Sequence, residues 1–393
     1  NIRFQSEHAA HNDFVTAGSL TKWKKSVSSL CSNNPLLILA VSAAFAGPLL
    51  KRAKLQETGG AGIHLVGDSS QGKTTALQIA GSVWGAPRFV RTWRATSNGL
   101  EATAAALNDT LLLLDEISEC NPKEIGAIVY ALANGTGKQR AARNGYARES
   151  ASWRVITLSS GERTLSTHMA EGGKRAKAGQ EARLLDVPAT SQLYGLFDNL
   201  HEQPDGRSFA DTLKQATGRH YGHAGPAFVE ALVKDKRDLP ELYAKACKIS
   251  GLTGRDGLEN RAANVFALLG LAGELASEYA ITGWDEGEAM HAAQQGFNLW
   301  RKFRGQGQTE TRQILDAVSE FILRHGDDRF SCITNSDHAS VRDRAGYWKE
   351  GNNDEGRIYL FNSPALREAA AGFDIRRILT ALDSANWIVE HDI

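Results

Sequence analysis

Gly62-Ile-His-Leu-Val-Gly-Asp-Ser-Ser-Gln-Gly-Lys-Thr-Thr-Ala-Leu-Gln-Ile-Ala80 decides how this chain is read. Its centre, Gly67 to Thr74, fits G-x-x-x-x-G-K-[ST] and stands after an apolar, strand-like run and before a helix-like one. A strand ending in a glycine-containing turn aims successive backbone N–H groups into one cavity. The helix that follows adds its positive N-terminal end, so a polyphosphate is gripped mainly by main chain. Gly67, Asp68, Ser69, Ser70, Gln71, Gly72, Lys73, Thr74 and Thr75 are therefore the candidate nucleotide-binding set. Lys73 is expected to reach the β- and γ-phosphates, and the Thr74 hydroxyl to ligate Mg²⁺.

Downstream, Thr110-Leu-Leu-Leu-Leu-Asp115-Glu116 reads as a strand from the interior of a parallel sheet, ending in two carboxylates. Asp115 is expected to hold the Mg²⁺ shell, and Glu116 to orient or deprotonate an attacking water. Read alone, Asp115 also suits a helix N-cap. An adjacent Asp and Glu at a strand end resembles the motor branch of phosphate-loop proteins rather than small-molecule kinases or GTPase switches. That pairing points to an ATPase that cycles.

The chain has 393 residues, enough for two or three domains. Lys plus Arg equals Asp plus Glu at 45 each, so any site for a polyanion must be local. Cys31, Cys120, Cys247 and Cys332 lack C-x-x-C spacing, which argues against zinc and disulfides and for a cytoplasmic setting. The most apolar run, Leu36 to Leu50, is 15 residues long. It is shorter than the about 20 needed to cross a bilayer, so a buried helix and no membrane partner are expected. A start at Asn1 without a cationic leader is expected of a fragment cut from a longer protein.

Residues 1–57 read as a helical segment, with one amphipathic helix opening at Ser19 and another in the Leu36 run. Residues 58–200 alternate strand candidates (63–66, 89–93, 111–114, 155–158 and 184–187) with helical stretches. That rhythm predicts a parallel sheet with helices on both faces and ligands at the strands' carboxyl ends. Residues 201–308 read as a helical subdomain, with helices over 208–217, 226–234, 239–249, 261–280 and 286–303. Residues 309–393 mix helices with short strands at 330–334, 357–361 and 386–390, and read as a winged-helix-like α+β module.

These segments together resemble the phosphate-loop family catalogued as domain of unknown function 927, found in phages, plasmids and integrated elements beside primases. The match rests on Gly67 to Thr75, Ser82-Val-Trp-Gly85, Thr92-Trp-Arg-Ala-Thr96, Asn98-Gly-Leu-Glu101, Leu113-Leu-Asp-Glu116, Ala133-Asn-Gly-Thr-Gly-Lys138, Leu158-Ser-Ser-Gly-Glu162 and Gly179 to Asp186. The family usually has Thr where this chain has Ser160, and the hydroxyl survives. The resemblance implies an α/β phosphate-loop NTPase core of AAA+ or superfamily-three type, assembled as a ring.

Three further features follow. Trp153 to Ser160 reads as a strand lying between the two motif strands, with Ser159 or Ser160 as the γ-phosphate sensor or else as turn residues before Gly161. Arg183, just before the strand Leu184-Leu-Asp-Val187, stands where ring ATPases present an arginine to the neighbouring subunit's nucleotide, a role that would make a homo-oligomer obligatory; an ordinary surface arginine is the alternative. Arg255 and Arg261 are weaker candidates for a sensor within the same subunit.

Lys138, Arg140, Arg143 and Arg148 surround the turn signal Asn144-Gly145. A basic hairpin there resembles the DNA-tracking hairpin of superfamily-three helicases, so Lys138, Arg140 and Arg143 are the nucleic-acid candidates; a solvated hairpin or a contact to the neighbour's nucleotide is the alternative. The basic loop Gly172 to Lys177 suits either DNA or solubility, and His64, inside a strand, reads as a core histidine. The expected function is an ATP- and Mg²⁺-dependent hexameric DNA helicase serving replication of a mobile element, acting on single-stranded DNA and with a primase as possible partner. The competing readings are an AAA+ switch that loads or remodels proteins without unwinding, and an inactivated scaffold.

Overall fold

The protein is described by a computed structural model covering residues 13–53, 60–138, 140–141, 147–148, 150–174, 176–190, 192–249, 251–304, 309–334, 341–351 and 356–389. Its strands, in chain order, are β1 (Gly60–Val66), β2 (Arg91–Thr92), β3 (Thr110–Asp115), β4 (Arg140–Ala141), β5 (Ala147–Arg148), β6 (Val155–Gly161), β7 (Leu184–Pro188), β8 (Phe330–Cys332), β9 (Gly346–Glu350) and β10 (Arg357–Phe361). Contacts divide the chain into two units, Asn1–Gly305 and Gln306–Ile393.

In the first unit five strands form one sheet in the order β2-β3-β6-β1-β7, and every pairing is parallel. Leu111 to Leu114 are all fully buried, which is why that run carries no alternation: both faces of a parallel sheet are covered. Alternate residues of β3 serve opposite layers. Leu113 faces Gly81 of the helix Lys73–Ser82, while Leu114 shares its face with its partner Ser159. β6 lies between the two motif strands, as its sequence predicted. β2 is shorter than the expected 89–93 strand, because Pro87 opens a 3-10 turn through Phe89 and only Arg91 and Thr92 enter the ladder.

The apolar run forms the helix Pro35–Ala46, and all of its residues are buried. A helix that is apolar all round needs cover on every side. It gets it from β3, β6, the helix Lys73–Ser82 and the two long helices Gly257–Glu278 and Glu288–Arg304. Among the described residues no helix is long and apolar enough to cross a membrane. Three helices of the first unit begin at aspartate caps that the apolar pattern does not reveal: Asp205 before Gly206–Arg219, Asp238 before Leu239–Ala246 and Asp256 before Gly257–Glu278.

The second unit holds the helix Thr309–His325, a sheet in the order β10-β9-β8, and the helices Ser363–Ala369 and Ile375–Ser384. β9 and β10 are antiparallel, whereas β8 and β9 are parallel. Ile314, Val318, Phe321, Phe330 and Ile378 form its core. Two local expectations are corrected here. The polar stretch before Arg357 contains β9, whose Trp348 packs on this core. The expected strand at 386–390 is absent from 386–389, because the Trp387 N–H closes the preceding helix on the Leu382 carbonyl.

Candidate functional site

β1 ends at Val66, and the chain then turns through Gly67 to Gly72 into the helix Lys73–Ser82. The turn needs left-handed backbone at Ser70 (φ 64°) and Gly72 (φ 88°). Gly72 is required twice over, since a Cβ there would also lie 2.6 Å from the Phe197 ring. Lys73 is 8% exposed, and its ammonium donates to the carbonyls of Gly67 at 2.7 Å and Asp68 at 2.6 Å. Burial pulls its pKa below the ordinary lysine value, and Glu162, Glu116, Asp115 and Asp68 oppose that shift. Four carboxylates thus share one field with one buried cation. Thr75 is buried, whereas Asp68, Ser69, Ser70 and Thr74 are exposed at the mouth of the turn.

The two motifs meet at Asp115. Thr74 Oγ1 donates to its Oδ2 at 3.1 Å, and the Ser160 hydroxyl donates to its Oδ1. A carboxylate with a hydroxyl beside it is a hard oxygen set suited to Mg²⁺, which draws its remaining ligands from phosphate and water. Among the described residues there is no cluster of three or more His, Cys, Asp or Glu that could hold a metal. Glu116 adopts left-handed backbone (φ 59°), uncommon for a non-glycine residue. Its carboxylate accepts from the Ser118 N–H at 3.3 Å and hydroxyl at 2.5 Å.

Ser159 and Ser160 part company because successive strand residues point to opposite faces. Ser160 serves Asp115, while Ser159 is buried in a separate relay. Its hydroxyl accepts from the Trp93 indole N–H at 2.8 Å and lies 2.9 Å from His64 Nδ1. His64 Nε2 lies 2.9 Å from the Arg163 carbonyl, which only accepts, so Nε2 carries the proton and Nδ1 accepts from Ser159. Burial lowers the His64 pKa to about 4, so the ring is neutral. His64 is a core histidine that ties β1 to β6 and, through Trp93, to the end of β2.

The remaining candidates lie elsewhere. Arg183 precedes β7 at the level of Ala61 and Gly62, at the opposite end of the sheet from Gly67. Its guanidinium stacks 4.2 Å from the Tyr130 ring centroid and donates to Gly179 O at 2.5 Å and Asn134 Oδ1 at 3.2 Å. Lys138 is exposed, with Nζ donating to Ser97 Oγ at 3.2 Å. Arg140 pairs with Arg148 in the β4–β5 ladder, and Arg143 lies outside the described residues. Arg255 and Arg261 are exposed near the start of the helix Gly257–Glu278. The sequence reading named Glu162 only inside a family block and gave it no role, although it is the first of the carboxylates that oppose the lowering of the Lys73 pKa. The same reading missed Phe197, the seat of Gly72. Glu162 follows a strand end as Glu116 does, but carries no motif spacing of its own.

Residues 1–152, which include the glycine-rich turn and the Asp115-Glu116 strand end, match the family described as Domain of unknown function (DUF927). No curated protein matches the chain. Among solved structures it shares its fold with one titled "SCCmec type IV Cch - active helicase". The TM-score is 0.74 at 18% identity, over 96% of this chain and 68% of that one.

Proposed function

We propose that this chain is an ATP- and Mg²⁺-dependent DNA helicase or translocase of a phage, plasmid or integrated element, working in replication as a hexameric ring of identical subunits. The observation that carries the reading is the convergence of the Thr74 and Ser160 hydroxyls on Asp115 beside the buried Lys73 ammonium. Bound Mg²⁺ supplies charge neutralisation on the β- and γ-phosphates. Asp115 and Thr74 hold the metal shell, Lys73 exchanges its two carbonyls for phosphate oxygens, and Glu116 orients the attacking water. Ser160 senses the terminal phosphate through its bond to Asp115.

The strand order and the likeness in fold to a helicase support an AAA+-type, phosphate-loop assignment. In that assignment residues 1–57, 58–200, 201–308 and 309–393 act as N-terminal segment, ATPase core, helical subdomain and winged-helix-like module. Arg183, remote from its own subunit's Lys73, acts on the neighbour's nucleotide. Lys138, Arg140 and Arg143 track single-stranded DNA, and a primase is the expected companion.

ATP turnover and strand displacement, measured with and without single-stranded DNA, test this reading. DNA-stimulated turnover with unwinding, both lost in Lys73→Ala, is expected. Nucleotide-dependent assembly with no response to DNA would instead establish the loader or remodeller, and absence of ATP binding would end the motor reading.

A further inference from the structure

The sheet order assigns direction to a nucleotide lying on the turn. Asp115, Ser160 and Glu116 all stand on the β3–β6 side of β1. The terminal phosphate and its metal therefore belong on that side, and the nucleoside end leaves toward the other edge, where β7 runs.

What stands at that edge is a double turn over 192–197. It consists of two overlapping tight turns, closed by bridges between Gln192 and Gly195 and between Tyr194 and Phe197. The double turn is built onto the phosphate turn itself. The Leu196 N–H donates to the Gln71 carbonyl at 2.9 Å, the Phe197 ring fills the space over Gly72, and a Cβ at Gly195 would strike Gln71. Its far side is pinned by the buried Asn34, whose Oδ1 accepts from the N–H groups of Asp198 at 2.8 Å and Asn199 at 2.9 Å. On this anchored frame Leu193 is 73% exposed and Tyr194 47% exposed. The anchored frame thus presents two adjacent large side chains to water beside the phosphate turn.

Resting on the ATPase reading, we propose that the double turn is the base clamp of the nucleotide site. Tyr194 stacks on the purine and Leu193 covers its edge. Stacking on an aromatic ring recognises a flat π-face without reading its hydrogen-bond pattern, so the double turn holds the base more than it selects it.

Calorimetry on the full chain with Mg²⁺ compares ATP with inorganic tripolyphosphate, which has the charges and no base. Tyr194→Ala is expected to weaken ATP about ten-fold and to leave tripolyphosphate unchanged, with Tyr194→Phe indistinguishable from wild type. The clamp is overturned if Tyr194→Ala binds ATP normally, if both ligands weaken together, or if Phe is as poor as Ala. Normal ATP binding with loss of self-association in Tyr194→Ala would place a second copy of the chain on the double turn, and also overturns it. If wild-type protein binds neither ligand, the ATPase reading itself fails. Loss of both ligands in Lys73→Ala is expected, and shows that tripolyphosphate reports the phosphate turn.

Discussion

Thr74 and Asp115, 41 positions apart in the chain, meet through a 3.1 Å hydrogen bond from hydroxyl to carboxylate. The first lies at the start of a helix and the second at the end of a strand. Neither needs the other for its own element to form. Their meeting is produced by the sheet, which sets β6 between β1 and β3 and brings the carboxyl ends of all three to one edge.

Lys73 and Glu116 are predicted to fail differently. Lys73→Ala loses ATP binding, and turnover falls by at least about 100-fold. Glu116→Gln keeps ATP and Mg²⁺ binding while turnover falls about 10²- to 10⁴-fold, because only proton handling is removed. Calorimetry beside a phosphate-release assay separates the two, and equal losses of binding would deny Glu116 its catalytic role.

Arg183 is held by Tyr130, Asn134 and Gly179 at the far end of β7 from Gly67. Arg183→Ala is predicted to bind ATP normally and to hydrolyse it about 10³-fold or more slowly. Doping this variant into wild-type protein should reduce turnover out of proportion to its mole fraction. A linear titration would mean that each subunit completes its own site.

Much of this arrangement was legible in the sequence, and the limits have physical causes. Apolar runs ending at Val66, Leu114 and Leu158 marked strands because a parallel sheet buries both faces. The choice between Ser159 and Ser160 was not legible, since neighbouring hydroxyls differ only in the face they take, and that depends on register with Leu114. β9 was hidden because Tyr347 and Lys349 on one face interrupt Trp348 on the other, in a sheet too small to bury both. Glu162 and Phe197 reach the phosphate turn only through tertiary folding, and no spacing announces them.

His64 predicts a pH dependence. Its pKa is about 4 in the folded protein against 6.5 for the free side chain, so between those values the unfolded chain binds more protons. Its contribution is fully present above pH 6.5 and is lost as pH falls toward 4, up to on the order of 3 kcal/mol. The Asp186 carboxyl, pushed up to about 8, acts in the opposite sense, so the readout is a difference. Urea unfolding of wild type and His64→Asn across pH 4 to 7 should show wild type losing more stability on acidification. Parallel curves would mean that His64 titrates normally in the fold.

Gly72→Ala is predicted to disable nucleotide binding through backbone and packing together. Its φ of 88° costs an L-residue about 1–2 kcal/mol, and the new methyl meets the Phe197 ring. Adding Phe197→Leu should relieve the clash while keeping most of the buried volume and leaving the backbone cost, so the double variant recovers part of the lost melting temperature and only part of its ATP affinity. No recovery would show that the ring is not the obstacle.

The buried, almost wholly apolar helix Pro35–Ala46 sits under β3 and β6, and Asn34 immediately before it clasps the segment behind the 192–197 double turn. Cutting the chain back to begin at β1 would therefore remove this plug together with the Asn34 tether. Such a shortened protein would be left with a wet hollow beneath its central strands and an untethered Tyr194, and a negative result with it would say nothing against the intact molecule.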